Sequence, residues 1–142
     1  MLSQLIARAV DRDWRVRVGV VAELCDRLGD PVVDAAVRRL LLDPDDTGVC
    51  RAAAETLLSK EDDAALRHYL WALGAASRPV YGDPADDLHD GCLGWAYELS
   101  LRGPEAQAAW RDSLERHALD ADPDVAAGAK SLLGRGDELV AD

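Results

Sequence analysis

Apolar residues recur along this chain at intervals of three and four, the spacing of helices that bury one face. Val49, Ala53 and Leu57 follow one another four apart, and Leu66, Leu70 and Leu73 mark a similar face on the next segment. Each of these six positions has an apolar counterpart 33 residues upstream: Val16, Val20 and Leu24, then Val33, Val37 and Leu40. A fixed period of that length, made of two amphipathic helices, defines a unit that buries its face only by stacking on neighbours. The pattern predicts an all-α fold, a right-handed α-solenoid (superhelix) of about three and a half helical hairpins in a single domain.

Proline and glycine punctuate that pattern. Five of the six prolines follow a residue suited to a helix cap or turn, namely Asp30, Asp43, Asp83, Gly103 and Asp122. The chain then divides into a cap helix at 2–10, a first repeat at 11–42, a second at 43–74, a degenerate third at 84–118, a half repeat at 122–134 and an acidic tail at 135–142. In the first repeat, helices are expected from Trp14 to about Leu28, stopped at Gly29, and from Pro31 to about Leu42. In the second, Ser59 is expected to cap a helix that ends at Gly74, and residues 75–83, with Pro79 inside and Pro84 just after, form the longest loop. The third repeat turns Leu88, Cys92, Trp95 and Leu99 inward, then Ala106, Trp110, Ser113 or Leu114, and His117. Val125, Ala129 and Leu133 match Val49, Ala53 and Leu57 at 76 residues, so the last helix reads as the first half of another hairpin.

Composition sharpens this reading. Hydrophobic residues are 49% of the chain but aromatics only 5%, with no Phe, a mixture that favours closely packed helices. The formal charge of -11 is uneven: residues 1–42 carry +1 and residues 43–142 carry -12. Such a field opposes nucleic acid, whose affinity rests on phosphate contacts, and favours basic proteins or peptides. The three cysteines lie far apart without a CxxC pair, which indicates neither a disulfide framework nor a zinc knuckle and implies a reducing, cytoplasmic setting. Arg8 interrupts the apolar N-terminus, unlike a signal peptide, and no run reaches the ~20 apolar residues of a membrane span.

Asp43-Pro44-Asp45, then Val49, Arg51, Ala52-Ala53-Ala54-Glu55 and Leu57, resembles the first helix of a HEAT repeat, specifically the short bacterial HEAT-like repeats of phycobilisome lyases. Asp11, Val16-Arg17 and Leu24 are similar, as are Asp122-Pro123-Asp124, Val125 and Leu133. The resemblance implies helical hairpins whose second helices line a concave face. It also implies an arginine that braces neighbouring repeats. The Val-Arg pair stands here only at Val16-Arg17, with Val49-Cys50 and Val125-Ala126 in the matching places.

On the second helices, Arg38 and Trp71 occupy equivalent positions off the apolar face, and aligning Ala106, Trp110 and Ser113 with Val33, Val37 and Leu40 adds Arg111. The adjacent ridge holds Asp34, Arg67 and Gln107. On a concave face Arg38, Arg67, Trp71 and Arg111 make a cationic and aromatic partner-binding strip, because Arg and Trp are frequent interface anchors. Against this stands a plainer arrangement, in which Trp71 covers the 75–83 loop and the arginines pair with local acids. Trp14, beside Arg12, Arg15 and Arg17, is a further contact candidate or a staple between the cap helix and the next.

Other chemistry is weakly encoded. The aspartates at repeat starts fit helix capping better than cation binding, and their spacing matches no calcium loop. Asp86, His89, Asp90 and Cys92 approach metal-ligand spacing, but Cys92 falls on the apolar face and His89 does not. No nucleophile has a base in register, and no glycine loop cradles phosphate. The expectation is therefore a module without catalytic residues, metal or cofactor that binds another protein through its concave surface. Two alternatives remain: an immunity or inhibitor protein against a basic toxin such as a nuclease, and a bilin-lyase-like binder of an anionic small molecule. Nothing in the sequence sets the oligomeric state.

Overall fold

The computed structural model describes residues 2–76 and 85–134; side chains at 85–87 and 89–91 fall outside that description, as do the 75–83 loop beyond Ala76 and the 135–142 tail. The described residues form eight helices and no strand: α1 (Leu2–Ala9), α2 (Trp14–Cys25), α3 (Pro31–Leu41), α4 (Thr47–Ser59), α5 (Asp63–Ala76), α6 (Ala85–Arg102), α7 (Pro104–His117) and α8 (Pro123–Gly134). Aspartates start most of them. Carboxylates of Asp13, Asp30, Asp46, Asp62 and Asp122 accept backbone N–H bonds from Arg15, Val32, Gly48, Ala65 and Asp124, filling donors that the first turn leaves orphaned.

Three boundaries differ from expectation. The helix from Trp14 stops at Cys25, and residues 26–29 form turns before Gly29 adopts a φ of 110°. Ser59 does not cap α5: it ends α4, its hydroxyl donates back to the Thr56 carbonyl, and Asp62 takes the capping role. Glu61 makes the intervening turn with a φ of 59°, unusual for a residue with a side chain. Gly74 does not stop α5 either; the helix passes through it to Ala76.

The reason lies in the packing. A Cβ built on Gly74 would sit 1.9 Å from the Asp124 carbonyl oxygen, and one on Gly128 would sit 2.0 Å from that of Leu70. The two helices cross backbone against backbone, at the two positions where each has no side chain. The glycines are there for proximity, not for termination.

Helices α2, α4 and α6 touch in succession, as do α1, α3 and α5, and the place beside α5 is filled by α8. Helix α7 runs between α6 and α8. The apolar faces read from the 33-residue echo form the core: Val20, Leu24, Val33, Val37, Leu40, Val49, Ala53, Leu57, Leu66, Leu70 and Leu73 are buried, while Val16 is only half-buried. Leu132 is buried in place of Leu133, and Trp110 is half-buried against the core. Tyr69 is fully buried, and its hydroxyl donates to the Leu88 carbonyl at 2.8 Å, tying α5 to α6.

Arg17 is a buried brace. Its Nε and Nη2 donate to the Asp43 carboxylate at 2.8 and 3.3 Å, and Nη1 donates to the carbonyls of Asp11 and Arg12. One period later Cys50 stands in its place, and the Cys50 thiol donates to the Asp43 carbonyl at 3.4 Å. Both positions are thus anchored on the same turn.

Candidate functional site

Asp34 and Arg38 sit one turn apart on α3, half-buried on the flank of the Val33–Val37 face. Arg67, His68 and Trp71 occupy the facing stretch of α5. The Arg38 guanidinium lies 4.5 Å from the centroid of the half-buried Trp71 ring, within cation–π range. Its Nε–H donates to His68 Nδ1 at 3.0 Å, and His68 Nε2 stands 3.4 Å from an Asp34 carboxylate oxygen. An imidazole that accepts at Nδ1 carries its proton on Nε2, so His68 is neutral and oriented from both sides. Burial pushes its pKa below the ordinary histidine value; Asp34 opposes this, and Arg38 and Arg67 reinforce it.

Arg67 reaches across to the turn between α7 and α8. Its Nε and Nη2 meet the two carboxylate oxygens of Asp120 at 3.0 Å each, a fork-to-fork pair. That contact, with the Asp122 N–H, holds the Asp120 carboxyl down to about 2. Around Arg38 the field is set by Asp122, Asp34 and Asp124 against Arg67, and burial lowers its pKa more than any of them. The face therefore has a cationic and aromatic centre inside a ring of carboxylates.

The structure brings three of the proposed contact residues, Arg38, Arg67 and Trp71, onto this one face. Arg111 is exposed on α7 and enters none of these contacts; α8, not α7, lies beside α5. Trp14 is 47% exposed at the first position of α2, away from the others. Sequence reasoning passed over His68 and underused Asp34, the two groups that position Arg38. The available signal was spacing: Asp34 and Arg38 are i and i+4, and His68 precedes Trp71 by three.

An Asp34–His68 pair resembles a proton relay, but its third member is a guanidinium, which keeps its protons at physiological pH and is no nucleophile. The cluster positions a cation. No group of three or more His, Cys, Asp or Glu side chains that could hold a metal occurs among the described residues. Asp86, His89 and Asp90 have side chains outside the described set, and burial pushes the Cys92 thiol up to about 11. Cys25 is likewise raised to about 11, the behaviour of a core filler and not of a reactive thiol. No helix among the described residues is long and apolar enough to cross a membrane.

Because α7 stands off from α5, a cleft of about 210 Å³ opens between them, walled by Leu66, Trp95, Leu99 and Trp110. Arg102 stacks over Trp95 at 5.1 Å and pairs with Glu61 at the rim, while the buried Trp95 Nε1–H has no hydrogen-bond partner. No protein-family model matches this chain, and no curated protein or solved structure is significantly similar to it.

Proposed function

We propose that this chain is a non-catalytic protein-binding module, a HEAT-like solenoid that presents the α3–α5 face to a partner with a basic surface. The observation that carries the reading is the Arg38–Trp71 stack inside its ring of carboxylates. A half-buried tryptophan under a fixed guanidinium is the kind of pre-ordered anchor on which interfaces concentrate their energy. The surrounding Asp34, Asp120, Asp122 and Asp124, on a chain of charge -11, steer cationic surfaces towards it. An inhibitor of a basic toxin is a special case of this reading, supported by the -12 carried by residues 43–142. A tetrapyrrole carboxylate would have to displace Asp120 from Arg67, which makes that alternative the weaker one.

The test is retention of partner proteins from the source cells near physiological salt by the natural chain and by an Arg38→Glu, Trp71→Ala variant of matched helicity. The natural chain is expected to hold a basic protein that the variant loses at least tenfold. Equal retention by both forms would reject the α3–α5 face as the binding surface.

A further inference from the structure

The cleft beside α7 combines an apolar interior, a charge-matched rim and one unanswered donor. Leu66, Leu99 and the indoles of Trp95 and Trp110 wall it, the two rings meeting edge to face with centroids 6.2 Å apart. Its volume of about 210 Å³ exceeds that of an apolar cavity large enough for benzene, about 150 Å³. At the rim Glu61 pairs with Arg102 and Asp63 with Arg116, while the Asp62 carboxylate accepts the Ala65 N–H at the head of α5. Inside, Trp95 is only 7% exposed, and its Nε1–H has no hydrogen-bond partner. A donor shut away from water without an acceptor bears its full desolvation cost, so any molecule that brings an acceptor to it is favoured.

We propose that this cleft binds a small neutral aromatic molecule through a carbonyl group. The ring packs among Leu66, Leu99 and Trp110, offset or edge-on to the indoles as aromatic quadrupoles prefer, and the carbonyl oxygen accepts from Trp95 Nε1–H. Neutrality follows from the rim. An anion would have to take Arg102 from Glu61, and a cation would have to take a carboxylate from its arginine or Asp62 from its cap. Because Trp95 Nε1 is sealed from solvent, a side chain must turn aside to admit the acceptor, and Arg102 is the cover. It stacks over the Trp95 ring at 5.1 Å, is half exposed, and has a Glu98 carboxylate oxygen 3.7 Å from its Nη2. Turning towards Glu98 uncovers the indole without leaving the guanidinium unpaired. Glu61, which holds Arg102 in place, is the residue with a φ of 59°, the sort of backbone strain that gathers at ligand clamps.

Heteronuclear NMR of the nitrogen-labelled full chain tests the proposal by following its indole N–H signals during titration with acetophenone and, separately, with ethylbenzene, which lacks the carbonyl. The Trp95 signal is the one lost in Trp95→Phe. The expected result is saturable binding of acetophenone in the millimolar range or tighter, about tenfold stronger than ethylbenzene, with the Trp95 proton moving downfield as its hydrogen bond forms. Trp95→Phe keeps a ring but no donor, so the two compounds are expected to bind it equally, as read at the Trp110 signal. Ala109→Leu, at an exposed site on the cleft wall, is expected to weaken both compounds at least tenfold with unchanged helicity. Absence of a saturable shift with acetophenone overturns the proposal. Equal affinity for the two compounds in the natural chain, or a preference for acetophenone that survives Trp95→Phe, overturns it as well.

Discussion

The junction between α2 and α4 and the junction between α5 and α8 solve the same packing problem with different materials. At the first, two hairpins one period apart are pinned by polar chemistry: Arg17 spans from the Asp11–Arg12 carbonyls to the Asp43 carboxylate, and the Cys50 thiol holds the Asp43 carbonyl. At the second, Gly74 and Gly128 let the two backbones approach until only hydrogens separate them, and the Arg67–Asp120 pair holds the turn before α8. One junction tolerates ordinary side-chain volume and fails when charge is left unpaired. The other fails when a single methyl is added.

The largest effect is expected at the charged junction. Asp43→Ala strands a buried guanidinium, which should cost ~3–5 kcal/mol in urea unfolding. Arg17→Met combined with Asp43→Leu, which removes both charges, should recover most of that loss. If Asp43→Ala alone unfolded with the natural midpoint, the brace would be ornamental.

Next comes the glycine junction. Alanine is the better helix former by ~1 kcal/mol, yet Gly74→Ala or Gly128→Ala should destabilise by ~2–3 kcal/mol because backbone must move away from backbone. The two substitutions act on one crossing and should be non-additive when combined, as a double-mutant cycle will reveal. Alanine at exposed Gly94 is the control and should stabilise.

The smallest effect separates the α3–α5 face from both junctions. His68 is held neutral in the fold, so the unfolded chain takes a proton first as pH falls below the ordinary histidine value. Stability should therefore drop from about pH 6.5 downward and level off once the folded form is also protonated. Protonation of the folded chain also removes the acceptor of the Arg38 Nε–H bond, so tryptophan fluorescence should change at the lower end of that window. In His68→Gln both changes should vanish. A second loss, from Asp120, belongs between about pH 4 and 2, since its depressed carboxyl gives stability that disappears on protonation.

The comparison also shows where the sequence was legible. Eleven of the twelve positions in the 33-residue echo are buried, and the aspartates sit at helix starts as caps, because periodicity and capping are local physics that each segment carries in itself. Arg38 and Trp71 were placed on one face for the same reason. The position of α8 was not legible. Its Val125, Ala129 and Leu133 copy the spacing of a first helix, but what decides its neighbour is the steric match of Gly128 to Leu70 and Gly74 to Asp124, which has no signature until both helices are in place. Gly74 read alone looks like a helix end, and Ser59 like a cap. Arg111 was drawn into the strip by an alignment that assumed α7 would lie beside α5.

The crossing of α5 and α8 has a kinetic consequence. In a linear repeat array each unit touches only its neighbours, so ordering can begin anywhere and ends can fray without disturbing the middle. Here Leu70 and Gly128, 58 residues apart in sequence, meet at van der Waals distance near the centre of the chain. Closing that long loop slows the search for the native state, and once closed it makes the last helix a keystone: its departure uncovers α5 and with it the middle of the core. The chain is thereby committed to melting as one unit rather than unravelling from its C-terminal end.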